Sequence, residues 1–240
     1  MAETESLGFK PLYQKVRETL TQRIADGRWK AGQIVPSETQ IAADLGVSQG
    51  TIRKALDDMT AARLLVRQQG RGTFVATHDE ARILFQFFKL KPDDGAGVFP
   101  ESEVLGVTTA AASAEEAAKL ALFKGEPVIR IRRLRSLAGT RCIVETIILP
   151  SAIFDGLQEG SIPNNLYAAY AERFGITIAG GSEILKAVSA SEEDARDLGL
   201  SRGAPLLLID RVATALDGRP MEWRVSLCDT SRIHYAAELR

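Results

Sequence analysis

The sequence of 240 residues predicts an α+β protein of two domains. The N-terminal domain is mainly helical, and the C-terminal domain is built from antiparallel strand pairs. Three observations predict this organisation. Two short amphipathic helix patterns follow one another between residues 35 and 62, and a glycine-flanked arginine comes next between two short apolar runs. A pattern of helix, turn and two strands then occurs twice. We place the domain boundary near residue 77, with domains 1–76 and 77–240.

The first domain begins with a predicted supporting helix over residues 11–27. Apolar residues recur there at every fourth position, at Leu12, Val16, Leu20 and Ile24. Pro11 stands at the helix start and Gly27 just past its end, the positions that these residue types favour.

Two further predicted helices are joined by a short turn that contains glycine. Ser37 can cap a helix that Gly46 ends, and Ser48 can cap the next one. The second helix has an inward apolar stripe, which consists of Ile52, Ala55, Leu56 and Met59. This arrangement predicts a helix-turn-helix, whose second helix enters the major groove of DNA.

A predicted wing follows these helices. Leu64–Val66 and Thr73–Val75 are apolar strand-like runs, and the tip between them carries Arg71 between two glycines. Glycines let the backbone turn tightly and pass close to a sugar-phosphate wall, which leaves the arginine free to enter a groove. We expect Lys54 and Arg67 to contact phosphates. For Arg53 on the second helix, the alternative is that it merely belongs to a solvated helix face.

The net charge of −1 is unevenly divided. Residues 1–76 hold 11 Lys and Arg against 8 Asp and Glu, a net of +3, and the remainder holds 19 against 23, a net of −4. The basic character therefore lies in the first domain. Because this excess is small, specific binding to double-stranded DNA is expected to need two such domains in a homodimer.

The second domain contains an internal repeat, with Glu115–Glu145 matching Glu192–Glu222 at offsets of 77 to 79. In this alignment Gly125 and Pro127 match Gly203 and Pro205, Arg133 matches Arg211, Gly139 matches Gly218, and Glu145 matches Glu222. Each copy is typical of a short helix, a turn and a strand hairpin. A cleft between two such halves would be a natural ligand site.

Four charged residues of the repeat are the first candidates for that cleft. Arg133 and Arg135 lie two apart on a strand, so they share a face, and two guanidinium groups on one face call for an anion. Glu145 and Glu222 could serve as that anion in a purely structural ion-pair network. An effector with an acidic group and an amine or hydroxyl donor would use all four.

A helix between the repeats, SIPNNLYAAYAERFG, could add to the site. Asn164 or Asn165 can cap it, its N-terminal amides can receive an anion, and Tyr167 lies one turn in. The alternative is an ordinary amphipathic helix in which Tyr167 only packs. Before it, the run ILFQFFKL predicts an apolar strand, and residues 91–100 predict a loop.

Several classes of protein are disfavoured by composition. No apolar run approaches membrane-spanning length, and the first ten residues lack the features of a signal peptide, so we expect a cytoplasmic protein without membrane contact. Cys142 and Cys228 are too few for a metal cluster and are expected to be reduced. We expect no cofactor.

Residues 11–75 resemble the winged helix-turn-helix of the GntR family of bacterial transcription regulators. The likeness rests on PLYQKVRETLTQRI, GQIVPSETQIAADLGVSQGTIRKAL and GRGTFV. It implies DNA contacts from Ser37, Thr39, Ser48, Gln49, Gly50, Thr51, Arg53, Lys54, Arg67, Gln69, Gly70 and Arg71. Relatives usually have arginine after the serine that starts the recognition helix, whereas Gln49 and Gly50 follow Ser48 here. Base reading would therefore pass to Gln49, which suits adenine, and Arg53, which suits guanine.

The chain from about residue 83 onward resembles the UTRA effector domain of the HutC subfamily, whose fold is like that of chorismate lyase. The likeness rests on RIRRLRSLAGTRCIVETIILP, NNLYAAYAERFGI and DGRPMEWRVSLCD. With the helix cap, it implies an effector pocket of Arg133, Arg135, Glu145, Asn165, Tyr167 and Glu222. Relatives that sense sugar phosphates tend to have an aromatic residue where this chain has Leu227 and Cys228, which leaves a smaller carboxylate or other anionic metabolite as an alternative.

The preferred function is a ligand-controlled repressor that binds a palindromic operator as a dimer and is released by a small anionic metabolite. One alternative is an enzyme of the chorismate-lyase type, although the second domain has no recognisable nucleophile and base pair. The other is a nonspecific DNA-binding protein, which would leave the repeat unexplained.

Overall fold

The computed structural model describes residues 10–77, 87–95 and 98–237. The chain divides into two compact units, Met1–Thr77 and His78–Arg240, which are treated separately below. Within the described residues, no helix has the length and apolar content that crossing a membrane demands.

The first unit contains three helices followed by a strand pair. They are α1 (Leu12–Ala25), α2 (Glu38–Leu45), α3 (Gln49–Ala61), β1 (Leu65–Gln68) and β2 (Gly72–Val75). The apolar stripe predicted for α3 is buried at all four positions. Leu12 is exposed, in contrast to the other three apolar residues of the α1 pattern, because it is the first residue of the helix.

Side-chain caps fix the starts of α2 and α3. The Ser37 hydroxyl accepts a hydrogen bond from the Gln40 amide at 3.3 Å, and the Gln40 side chain accepts one from the Ser37 amide at 2.9 Å. This reciprocal capping box satisfies two amides that the helix leaves unpaired. Ser48 caps α3 through the Thr51 amide at 3.2 Å. Gly46 ends α2 in the left-handed conformation, with φ of +63°.

The wing has a third segment that the sequence did not predict. β1 and β2 pair in antiparallel fashion, and Ile34 forms a further bridge with Phe74. The Val35 amide donates to the Thr73 carbonyl at 2.8 Å on this outer side of β2. Gly72 has φ of +114°, and a Cβ there would lie 3.2 Å from Ile34, so both the backbone and the packing favour glycine.

The second unit is built around a six-stranded antiparallel sheet. Its elements are β3 (Leu90–Pro92), β4 (Glu101–Ala111), α4 (Ala114–Leu120), β5 (Pro127–Leu137), β6 (Thr140–Pro150), α5 (Leu166–Phe174), β7 (Ile178–Ser189), α6 (Glu192–Leu198), β8 (Pro205–Ala215), β9 (Pro220–Cys228) and β10 (Ile233–Tyr235). The sheet order is β4-β5-β6-β9-β8-β7, and β3 pairs with β10 separately.

The two copies of the repeat meet at the centre of this sheet, where β6 pairs with β9. One face of the sheet packs against α4 and α6. The other face packs against α5 through a large apolar cluster that includes Ile131, Ile147 and Tyr170. The halves thus form one continuous sheet, and the charged residues of interest lie on its α5 face.

Part of the chain before the sheet departs from the prediction. Residues 83–86 of the predicted strand lie outside the described residues, Phe87–Lys89 are not in a strand, and β3 begins at Leu90. Lys91 and Pro92 therefore belong to β3, and the loop predicted from residue 91 is wrong there. The pairing with β10, far along the chain, determines this short strand.

The strand register corrects the alignment of the two repeat copies. Arg133 lies opposite Glu145, whereas its repeat partner Arg211 lies opposite Arg224. The counterpart of Glu145 is therefore Arg224, and the match to Glu222 is wrong by two residues. The reason is the longer β8–β9 connection, which shifts the offset to 79 after the turn.

Two ion pairs on the other sheet face are related by the repeat and carry opposite signs. Arg132 of β5 pairs with Asp197 of α6 at 2.8 Å. At the positions 78 residues away, Asp210 of β8 pairs with Lys119 of α4 at 2.6 Å. Each pair therefore joins a strand of one half to the helix of the other half.

Candidate nucleic-acid interface and ligand pocket

The first residues of α3 form an exposed polar surface in the first unit. Gln49, Gly50 and Arg53 are all exposed there, and Arg53 lies one turn after Gln49 on the same side of the helix. A Cβ added at Gly50 would meet only the Ser48 hydroxyl, at 3.9 Å, so the fold itself leaves room for a side chain at this position.

A carboxylate on α2 contacts both predicted base-reading residues. The Nε and Nη2 atoms of Arg53 donate to Oε2 of Glu38 at 3.0 and 2.9 Å. The Gln49 amide donates to the same oxygen at 3.5 Å. Hydrogen bonding to Glu38 raises the pKa of the Arg53 guanidinium. Sequence reasoning missed Glu38.

The two predicted phosphate contacts have partners within the unit. The Lys54 ammonium lies 4.2 Å from the ring centre of Tyr13 on α1. Arg67 forms an ion pair with Asp57 of α3, and both side chains are about half exposed. These cations are therefore held at the surface in reach of solvent.

The wing tip has the geometry that the sequence predicted. Gly70 and Gly72 both have positive φ, and Arg71 between them is exposed, with its guanidinium 5.9 Å from the Phe74 ring. Of the remaining predicted DNA contacts, Ser37 and Ser48 are helix caps, Thr51 is half-buried, and Thr39 and Gln69 are exposed.

In the second unit, a layer of buried and partly buried charges lies on the α5 face of the sheet. It contains Arg133, Arg135, Arg211, Arg224, Glu145, Glu183 and Glu222. Apolar clusters lie on both sides of it, one with Ile131 and Tyr170 and the other with Ile143 and Ile209. Among the described residues of this layer, four cations face three carboxylates, which leaves one positive charge in excess.

Arg133 and Glu145 form the centre of this layer. The Nε and Nη2 atoms of Arg133 both donate to Oε1 of Glu145, with an Nε distance of 2.8 Å. Nη1 of Arg133 donates to the Asn164 carbonyl at 3.2 Å, which joins the sheet to the segment before α5. Oε2 of Glu145 accepts from Arg224 at 3.3 Å and from Ser226 at 3.5 Å.

Glu222 is bonded on both oxygens within the protein. Its side chain has no exposed surface, and it accepts hydrogen bonds from Tyr167 at 3.1 Å and from Tyr170 at 2.8 Å. Arg224 donates to both of its oxygens, at 2.9 and 2.8 Å. Glu222 lines neither of the two cavities described next, and its contacts fix Tyr167 and Arg224.

Arg135 differs from the other arginines of the layer. Only 4% of its side chain is exposed, yet its nearest carboxylate oxygen among the described residues, on Glu145, lies 3.8 Å from Nη1. It donates instead to the Ser102 hydroxyl at 3.0 Å and to the Pro100 carbonyl at 3.5 Å. Within the described part of the chain, no carboxylate is hydrogen-bonded to this buried guanidinium.

Two small neighbouring cavities, of about 30 and 20 Å³, are lined in part by residues of this layer. The larger is lined by Phe87, Phe88, Phe99, Arg133, Arg135, Asn164, Asn165, Leu166, Tyr167, Arg211 and Arg224. No carboxylate appears among these described lining residues. Asn165 caps α5 by accepting from the Ala168 amide at 3.0 Å, so the positive end of that helix adjoins the cavity. Glu145 lines only the smaller cavity.

The pKa shifts follow from burial and from the density of arginines. Burial lowers the pKa of Arg135 to about 9. Burial alone would raise the pKa of Glu145, but the guanidinium groups of Arg133, Arg224 and Arg135 outweigh it and hold that pKa below its usual range. Burial and the Glu222 charge raise the pKa of Tyr167 to about 12.

Sequence reasoning missed Arg211 and Arg224 as site residues. The correct repeat offset after the turn would have revealed Arg224 as the counterpart of Glu145. Arg211 was visible as the counterpart of Arg133, and it pairs with Glu183 and the Phe87 carbonyl. Within the described residues, no group of three or more His, Cys, Asp or Glu is placed to hold a metal ion.

Comparison with known families matches both units. The family described as "Bacterial regulatory proteins, gntR family" matches residues 12–75, and the UTRA domain matches residues 95–234. Among solved structures, the ligand-binding domain of a GntR-family transcriptional regulator from Bordetella bronchiseptica is 35% identical, with a TM-score of 0.59, and covers 63% of this chain and 96% of its own.

Curated relatives extend the similarity to nearly the whole chain. The histidine utilization repressor of Pseudomonas putida is 33% identical over 206 residues, 85% of this chain and 82% of the relative. The regulator SmoD of Agrobacterium fabrum is 29% identical over 233 residues, 97% of this chain and 98% of the relative. These relatives and families are transcription regulators rather than enzymes, which removes the chorismate-lyase alternative. The chain therefore belongs to the GntR family of bacterial transcription regulators and carries the UTRA effector domain, as a ligand-responsive DNA-binding repressor.

Proposed function

We propose that this repressor binds a palindromic operator as a cytoplasmic homodimer and is released from DNA when a small anionic metabolite binds beside Arg135, in a cavity that widens from about 30 Å³ to admit it. The observation that carries the proposal is the cavity lining, in which four guanidinium groups occur without a carboxylate among the described residues. Such a concentration of positive charge favours an anion.

Arg135 is the proposed primary contact for the anionic group. A buried cation without a hydrogen-bonded carboxylate is costly, so an anion that hydrogen-bonds to Arg135 gains a strong interaction. The other three arginines are bonded to carboxylates of the layer. Asn165 and the start of α5 offer polar groups at the same wall of the cavity.

The proposed contacts of Glu145 and Glu222 with the effector are indirect. The described bonds use both oxygens of each carboxylate to hold arginines and tyrosines. These residues therefore position Arg133, Arg224 and Tyr167 around the ligand. An anion is the class of effector that this arrangement favours, and a donor on the effector is not required.

For DNA, we propose that α3 enters the major groove and that Arg71 of the wing enters a neighbouring groove. The exposed cations of α3 and the wing supply this surface. The first unit of one protomer carries only a small net positive charge. The first units of two protomers, bound to two half-sites, would together supply the affinity and match the symmetry of a palindrome.

A thermal-shift experiment tests the anionic effector. The full-length protein is heated with inorganic phosphate, succinate, citrate or neutral glucose, and the same series is applied to Arg135→Gln. A ligand at a hundred times its Kd adds about 2.7 kcal/mol to the stability of the native state. We expect at least one anion and not glucose to raise Tm, and Arg135→Gln to lose that rise.

Arg141→Gln is the matched control, because Arg141 is an exposed arginine of the same unit paired with Glu103. It should respond to the anion like the wild type. An equal response of wild type and Arg135→Gln, or stabilisation by glucose alone, would contradict the proposed anion contact.

A further inference from the structure

We infer that Glu38 of α2 is a positioning residue for base readout, which holds the Arg53 side chain so that the free edge of its guanidinium faces the DNA. The inference goes beyond the proposed function by naming a residue outside the predicted DNA contacts. It rests on the proposed reading role of Arg53.

The hydrogen bonds select one edge of the guanidinium. Glu38 accepts from Nε and Nη2 of Arg53, which form the side edge of the group. A guanidinium has five N–H donors in a rigid plane, so a carboxylate on the side edge leaves the end edge, formed by Nη1 and Nη2, available. Guanine offers O6 and N7 to two such donors in the major groove.

Gln49 shares the same carboxylate oxygen. Its amide nitrogen lies 3.5 Å from Oε2 of Glu38, so its carbonyl oxygen is left as an acceptor. A single carboxylate therefore orients both side chains at the start of α3 that were predicted to read bases. Orientation before binding reduces the rotamer entropy that these long side chains lose on DNA.

Glu38 itself is held in place by the fold. It is the first residue of α2, directly after the Ser37 cap, where the helix dipole favours a carboxylate. Its side chain is 24% exposed, compared with 61% for Arg53. The anchored carboxylate thus orients the more exposed arginine across the turn of the helix-turn-helix.

Stability does not account for this pair. Because Arg53 is largely exposed, solvent screens its ion pair with Glu38, and ordering two long side chains costs entropy, so the pair contributes little to folding. A negative charge close to a phosphate-binding surface also lowers affinity for any DNA. A carboxylate at this position is therefore useful when it improves discrimination between sequences.

A double-mutant cycle on the full-length protein tests the inference. Wild-type protein first selects its preferred duplex from a library of random 30-base-pair duplexes. Kd is then measured by fluorescence anisotropy, for this duplex and for a random duplex of equal length, with wild type, Glu38→Ala, Arg53→Ala and the double variant at fixed salt.

Discrimination is the Kd for the random duplex divided by the Kd for the preferred duplex. We expect Arg53→Ala to reduce this ratio by roughly 5- to 150-fold, the range of one bidentate arginine–guanine contact. Glu38→Ala should lose a large part of that factor while its affinity for the random duplex is unchanged or higher. The double variant should discriminate no worse than Arg53→Ala, because both substitutions remove the same contact.

Glu18→Gln is the matched control for loss of a carboxylate, because Glu18 pairs with Lys10 at 2.7 Å on the exposed surface of α1. It should discriminate like the wild type. Glu38→Asp keeps the charge but shortens the reach, and we expect it to lose discrimination as well. If a thermal melt shows that Glu38→Ala is unfolded at the assay temperature, Glu38→Asp replaces it.

The outcomes separate this inference from the proposal on which it rests. If Arg53→Ala discriminates like the wild type, the reading role of Arg53 fails and the inference with it. If Arg53→Ala loses discrimination and Glu38→Ala and Glu38→Asp retain it, the reading role stands and the inference is wrong. If Glu38→Ala raises Kd by the same factor for both duplexes, the role of Glu38 is purely structural and the inference is also wrong.

Discussion

The two units use arginine–carboxylate pairs in opposite environments. In the first unit the side chains of Arg53, Arg67 and Asp57 are about half exposed or more, and Glu38, the partner of Arg53, is 24% exposed. In the second unit the pair Arg133–Glu145 is almost entirely buried. The same chemical pair is therefore easily exchanged in one unit and fixed in the other, because solvent compensates a broken pair only at the surface.

This difference in burial suits the proposed DNA-binding surface of the first unit and the proposed ligand pocket of the second. A cation that is to contact phosphate or bases has to leave or share its internal partner at low cost. A pocket that is to hold a defined arrangement of guanidinium groups needs partners that do not rearrange. The following predictions test this contrast by replacing carboxylates that are progressively less buried.

Glu145→Gln should have the largest effect on stability. The variant keeps the shape of the side chain but leaves Arg133 without its buried carboxylate, while Arg224 keeps Glu222. Breaking such a buried pair costs about 3–5 kcal/mol. Urea denaturation followed by fluorescence can measure this cost. The two tryptophans lie one in each unit, at Trp29 and Trp223, so a Trp29→Phe background reports on the second unit alone.

Glu103→Gln in the same background is the control, because Glu103 belongs to an exposed pair with Arg141 in the same unit. Its free energy of unfolding should change by less than about 1 kcal/mol. Similar losses for Glu145→Gln and Glu103→Gln would remove the contrast between buried and exposed pairs.

The partly buried pair of Glu116 and Arg130 should give an intermediate effect that depends on pH. Hydrogen bonds from Arg130 lower the pKa of Glu116 from 4.5 to about 2. The ionised carboxylate therefore stabilises the folded state above about pH 4.5, and this contribution is lost as the pH falls towards 2. The difference in unfolding free energy between wild type and Glu116→Gln should shrink over that window.

Urea titrations at several pH values between 2 and 6 would measure this difference. Glu115→Gln is a suitable comparison, because Glu115 is the exposed neighbour of Glu116 on the same helix turn. A difference between wild type and Glu116→Gln that stays constant across the window would be inconsistent with the lowered pKa.

Asp57→Asn should have the smallest effect on stability, less than about 1 kcal/mol, because Asp57 and Arg67 are both about half exposed. Removing the carboxylate releases Arg67 for phosphates, so affinity for a random duplex should rise and depend more steeply on salt. Anisotropy titrations between 50 and 200 mM salt would detect this. Weaker binding at every salt concentration would exclude a phosphate contact by Arg67.

Local signals were sufficient to predict most of the fold. The caps Ser37 and Ser48 and the apolar stripe of α3 act within a few residues, and the structure contains each of them. The edge strands β4 and β7 were not predicted, because most of their residues are exposed and apolar alternation is absent. β3 was misplaced because its partner β10 lies about 140 residues away.

The site was predictable where it depended on spacing along one strand. Arg133 and Arg135 share a face, as the alternation of a strand requires, and the register of the short β5–β6 hairpin brings Glu145 opposite Arg133. Arg224 was missed because its place depends on the register across a hairpin whose turn differs between the repeats. The partners of Arg135 were not predictable, since Ser102 and Pro100 approach from a neighbouring strand and the chain before it.

The reversed ion pairs of the duplicated halves make the exchange of their helices unfavourable. If α4 docked on its own half, Lys119 would face Arg132, and if α6 did the same, Asp197 would face Asp210. Like charges would then meet at both contacts, whereas the observed arrangement joins opposite charges at 2.6 and 2.8 Å. Two sequences of common pattern thus assemble in a single way, because the sign of the charge distinguishes one copy from the other.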